Sequence, residues 1–95
     1  MTRRKVVVSG RVQGVWYRDS CRDRAEMLGA RGWVANRSDG AAVVAELEGD
    51  ERSVDELVAW MRAGPPRAAV TNVDVTELSG TGDWVGFRVL STPPP

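Results

Sequence analysis

The stretch Gly10-Arg11-Val12-Gln13-Gly14-Val15-Trp16-Tyr17-Arg18 gathers residue types suited to holding a small tetrahedral anion. Its two glycines let successive backbone N–H groups turn inward as a nest, and a helix that starts beyond them adds partial positive charge at its first turn. Arg18, at that helix start, can grip the same anion with two parallel N–H bonds. The spacing matches neither a Walker A loop nor a dinucleotide fingerprint, because no Lys-Ser/Thr and no third glycine follows Gly14. It is not a thiol phosphatase loop either, since Cys21 comes after Arg18. Read alone, the stretch fits an anion site or a plain strand-to-helix turn. A second candidate is Asn36, at the end of Gly32-Trp33-Val34-Ala35-Asn36. Asparagine is depleted in strands. Its carboxamide donates and accepts at once, so it can orient a water; it can equally bond its own turn backbone.

The composition narrows what such residues could do. The chain has 95 residues, one cysteine and no histidine, and its 13 basic side chains balance 13 acidic ones. Without histidine there is no Ser-His-Asp triad, no Cys-His dyad, no His-liganded metal and no imidazole base. A lone Cys21 excludes an intrachain disulfide and a cysteine-based zinc site. Zero net charge argues against binding nucleic acid through bulk charge. Met1-Thr2-Arg3-Arg4-Lys5 is basic, but only Val6-Val7-Val8 follows it. That run is too short for a signal-peptide core or a membrane span. A cytoplasmic monomer with no membrane contact is expected.

The elements that would position Arg18 and Asn36 follow from periodicity. Val6-Val7-Val8 reads as a short buried strand. From Arg18 to Gly29 the pattern is helical, with Cys21, Ala25 and Leu28 on one stripe. Trp33-Val34-Ala35 starts a second strand, Ser38-Asp39-Gly40 a hairpin turn, and Val43, Ala45 and Leu47 alternate along a third strand ending at Gly49. Val54, Leu57, Val58 and Met61 mark a second helix, capped by Asp50 or by a Ser53/Glu56 capping box. Gly64-Pro65-Pro66 ends it. Val73 and Val75 give a fourth strand, and Val85, Phe87 and Val89 a short fifth. The order β-α-β-β-α-β plus one strand, with right-handed crossovers, predicts a ferredoxin-like two-layer α/β (α+β) sandwich. Both helices lie on one face of a mixed, mainly antiparallel sheet. Residues 1–95 form a single domain, with its core at about 5–90 and a Pro-rich tail at 91–95.

Taken together, Gly10-x-Val12-Gln13-Gly14-Val15-x-Tyr17-Arg18, Ala25-x-x-Leu28-Gly29 and Gly32-Trp33-Val34-x-Asn36-x-x-x-Gly40 resemble the acylphosphatase family. The resemblance runs from about Lys5 to Val89. It implies a metal-independent enzyme with no cofactor that hydrolyses the carboxyl-phosphate bond of acyl phosphates to a carboxylate and inorganic phosphate. It further implies that the loop Gln13, Gly14, Val15, Trp16, Tyr17 and Arg18 binds the phosphate. Arg18 and Asn36 are then the catalytic residues, and Asn36 positions the attacking water. The alternative is a non-catalytic ferredoxin-like module that binds an anion or other ligand.

The chain departs from the family pattern in places. Ala42 stands where valine is usual, and the stretch from Gly40 to Gly49 is one residue longer, so a β-bulge near the hairpin is expected. In some members a terminal carboxylate holds the arginine; with a tail running to Pro95, Asp19 or another carboxylate is the expected substitute. Cys21, Trp33 and Trp60 read as packing residues, and Trp16 as packing beside the loop. Arg11 reads as a solvated loop charge, Glu46 and Glu48 as a solvated strand face, and Arg3, Arg4 and Lys5 as a basic terminus.

Overall fold

A computed structural model describes residues 1–95. Its elements are β1 (Thr2–Arg11), α1 (Tyr17–Leu28), β2 (Arg31–Asn36), β3 (Ala42–Gly49), α2 (Glu51–Ala63), β4 (Ala69–Leu78) and β5 (Phe87–Leu90). The sheet order is β4-β1-β3-β2-β5. β1 pairs antiparallel with β3 and β4, β2 pairs antiparallel with β3, and β5 lies parallel to β2. This is the expected ferredoxin-like α+β sandwich. Two helices pack on one face because Cys21 and Ala25 of α1, and Val54, Leu57 and Met61 of α2, form fully buried stripes. They meet Val6, Val8, Val34, Val43, Ala45 and Leu47 from the sheet. Asp50 caps α2, accepting from the Ser53 N–H at 2.8 Å.

Tyr17 ties the helices together. Its hydroxyl donates to the Met61 carbonyl at 2.6 Å, and its ring lies 5.5 Å from that of Trp60. Gly64, which ends α2 at φ 69°, leaves room for this ring: a Cβ there would stand 2.7 Å from it.

The face away from the helices is less open than the sequence suggests. β4 and β5 lie at opposite edges, so residues 79–86 must cross the sheet. They do so over Glu48, which accepts from the N–H groups of Thr81 at 3.0 Å and Gly82 at 3.1 Å. Glu48 also pairs with Arg3 at 2.9 Å and lies 3.8 Å from Arg31, its two cross-strand neighbours. The Arg3 guanidinium in turn sits 3.6 Å from the centre of the Trp84 ring. Trp33, Ala35 and Val44 form a second small core here, joined by Val7, Trp84 and Leu90. Glu48 is thus fully buried rather than solvated. Burial pushes its carboxyl up, but the two N–H bonds and Arg3 outweigh this and hold it below the usual carboxylate range.

Other expectations need correction too. β1 extends well beyond the valine run, so Arg3 and Arg4 are strand residues; Arg4 pairs with Asp55 and Glu77. The β2–β3 ladder runs without a shift from Arg31↔Glu48 to Asn36↔Val43, so no bulge lies there. Any additional length is taken up in residues 37–41. The irregularity falls instead between Ser9 and Gly10, where β1 meets β4. Val85 is exposed and precedes β5.

Candidate active site

The connection from β1 to α1 is built from alternating anchors and open positions. Val12, Val15 and Tyr17 are buried in the main core, at 1%, 7% and 2% exposure. Between them Gly14 (φ 73°) and Trp16 (φ 65°) adopt the left-handed conformation. Left-handed residues interspersed in a turn aim successive N–H groups toward one side. None of the backbone N–H groups from Gln13 to Asp19 has an acceptor within the chain; the first helical bond runs from the Ser20 N–H to the Trp16 carbonyl. Loop and helix start thus offer a row of donors on a backbone pinned by three core side chains.

Arg18 stands one residue into α1. Its Nη1 donates to the Leu90 carbonyl of β5 at 2.8 Å. A backbone carbonyl therefore holds the arginine, not Asp19 or another carboxylate. Asp19 instead lies near Arg22, at 3.9 Å. A guanidinium has five N–H donors, so this bond leaves most of the fork free.

Asn36 is the last residue of β2, opposite Val43. The hairpin turn beyond it is closed by Asp39, which accepts from the Ala41 N–H at 3.0 Å and pairs with Arg37 at 2.9 Å. The Asn36 carboxamide makes no hydrogen bond to the turn, so of its two sequence readings the turn-capping one fails. Gln13 joins the loop to this hairpin: its Nε2 donates to the carbonyls of Arg37 and Ala42, both at 2.9 Å.

Val12, Gly14, Trp16, Tyr17, Arg18, Asp19 and Asn36 line one cleft of about 310 Å³. It brings together Arg18, Asn36 and part of the loop. The expected phosphate contacts divide. Gln13 spends its side chain on the hairpin, and Val15 and Tyr17 spend theirs on the core, so only their N–H groups remain for a ligand. Burial raises the Tyr17 hydroxyl and Cys21 thiol well above their ordinary values, keeping both neutral and unsuited to nucleophilic attack. Trp16 does not pack beside the loop but is 72% exposed at the cleft. The Leu90 contact was missed by sequence reasoning, and no local signal marks it. No cluster of three or more His, Cys, Asp or Glu side chains is placed to hold a metal ion.

The family model described as Acylphosphatase matches residues 4–89. An acylphosphatase from Methylococcus capsulatus is 52% identical over 90 residues, covering 95% of this chain and 97% of that protein. Among solved structures, the acylphosphatase from Bacillus subtilis superposes with a TM-score of 0.89 at 33% identity, over 95% of this chain and 99% of that one. One from Coxiella burnetii gives 0.84 at 43% identity, over 94% and 92%. Full-length matches at this level, on a fold that gathers Arg18, Asn36 and loop N–H groups without acceptors around one cleft, make this chain a member of the acylphosphatase family.

Proposed function

We propose that the cleft at the start of α1 is where this acylphosphatase hydrolyses its substrate, with Arg18 and Asn36 as catalytic residues. The phosphoryl oxygens accept from the N–H groups between Gln13 and Arg18 and from the free part of the Arg18 guanidinium. The Asn36 carboxamide orients a water toward phosphorus. As the water oxygen bonds to phosphorus, the bond from phosphorus to the acyl oxygen breaks, and the carboxylate leaves with the electron pair. The water proton passes to a phosphate oxygen, giving inorganic phosphate. A carboxylate is a stable leaving group, with a pKa of about 4, so no general acid is required. Phosphoryl transfer of this kind depends on positioning and charge stabilisation, which suits a chain with no histidine.

The observation that carries this reading is the convergence in one cleft of Arg18, an Asn36 carboxamide with no partner in the chain, and loop N–H groups with none either. Hydrolysis of benzoyl phosphate with and without EDTA tests it. Turnover that EDTA leaves unchanged and inorganic phosphate inhibits competitively is expected. A rate no greater than the spontaneous one would leave a binding module instead. We further infer a monomer acting in the cytoplasm on small acyl phosphates, without nucleic acid. Zero net charge supports the absence of nucleic acid, and no helix is long and apolar enough to cross a membrane.

A further inference from the structure

Trp16 is the one residue other than glycine with positive φ. That conformation is unfavourable for a residue carrying a bulky side chain, and it persists only where the surroundings or a function hold it. The fold gains little from the indole in return. It is 72% exposed, outside both cores, and its side chain does not cap the helix it precedes. Large apolar side chains that serve packing look like Tyr17, at 2% exposure, or Val12, at 1%. These two also line the cleft, so Trp16 is its only apolar side chain open to solvent. The polar side chains around it, Arg18, Asp19 and Asn36, suit the phosphoryl end of a substrate or repel a negative charge.

Resting on the reading of this cleft as the phosphoryl site, we propose that Trp16 is the specificity-determining wall for the acyl group, selecting neutral planar or apolar acyl phosphates by stacking on the indole. An acyl phosphate whose phosphoryl group sits among the loop N–H groups extends its acyl part out of the cleft, where only Trp16 offers apolar surface. An aryl ring gains from stacking there; an acetyl group is too small to cover it. Asp19 in the same lining disfavours acyl chains that end in a carboxylate.

The test is the ratio of kcat/KM for benzoyl phosphate to that for acetyl phosphate, because any general disturbance of the loop cancels in it. Trp16→Asn and Trp16→Gly both tolerate the left-handed backbone. In each, the ratio is expected to fall about tenfold, while Trp16→Phe keeps most of it. As a measurement independent of turnover, the preference for benzylphosphonate over methylphosphonate as inhibitor should fall in parallel. A ratio within twofold of the unsubstituted protein's in both small variants overturns the proposal and leaves the phosphoryl site intact. Failure of the unsubstituted protein to hydrolyse either substrate would instead overturn the reading of the site.

Discussion

Replacing Gln13 with alanine separates the anion loop from the hairpin that carries Asn36. The amide nitrogen of Gln13 uses its two hydrogens on two carbonyls, those of Arg37 and Ala42. Both carbonyls keep another partner when it is lost. The Arg37 carbonyl still accepts from the Gly40 N–H at 3.1 Å, and the Ala42 carbonyl from the Arg37 N–H at 2.9 Å. No acceptor is orphaned, so the penalty for a buried unpaired group does not apply. The loss is the net worth of two neutral hydrogen bonds, about 2 kcal/mol in all. For a domain of this size that lowers Tm by about 8–16 °C. The effect on activity should be larger than the effect on stability. Misplacing reacting groups by 1 Å costs on the order of 10²-fold, and Gln13 is the direct side-chain link between the two halves of the site. Urea and thermal unfolding give the first quantity, and kcat/KM for benzoyl phosphate gives the second. A variant that loses stability but keeps its full kcat/KM would show that the loop and Asn36 hold their relation without Gln13, and the positioning argument would be wrong.

Removal of one preorganised donor from a site of this kind costs about 10²–10³ in kcat. Arg18→Ala and Asn36→Ala should each lose at least that while unfolding cooperatively near the parent Tm; an active Asn36→Ala removes that residue from the mechanism. Tyr17→Phe leaves the buried Met61 carbonyl without a donor, since Pro65 has no N–H to offer it, and should cost about 1–3 kcal/mol in urea unfolding. No change there would mean that water replaces the hydroxyl. Glu48→Gln breaks a buried charge pair and should destabilise by about 3 kcal/mol at neutral pH. Because the folded carboxyl is held low, the stability it contributes is present above its unfolded pKa of about 4.3 and is lost as pH falls through the folded value. The difference between parent and variant should therefore be flat above about pH 5.5 and shrink in more acid solution. A difference that grows on acidification contradicts the assignment.

The parts of the site that were legible in the sequence are those set by short-range physics. Gly14 and Arg18 were placed at the strand-to-helix turn because one turn and one helix start suffice to position them. Asn36 stands out because asparagine is rare in strands. The stripe Val54, Leu57, Val58 and Met61 and the Asp50 cap are local in the same sense. What stayed hidden depends on distant segments meeting. Glu48 follows the alternation of a half-solvated strand, and nothing beside it reveals that Thr81 and Gly82 will cover it. Leu90 takes part through its backbone, so its residue type carries no signal. Trp16 combines a left-handed φ with an exposed indole, and a sequence displays neither.

The crossing of residues 79–86 also bears on when the enzyme comes into being. Arg18 and the Leu90 carbonyl it bonds are 72 positions apart, and β5 reaches that place only after the strap has traversed the sheet from the β4 edge. Contacts that close such long loops are made late, after the entropy of ordering the intervening chain has been overcome. Until β5 docks, the loop and Asn36 can be in place while the Arg18 guanidinium lacks the carbonyl that holds it. The docking of β5 thus completes the surroundings of Arg18 in the cleft.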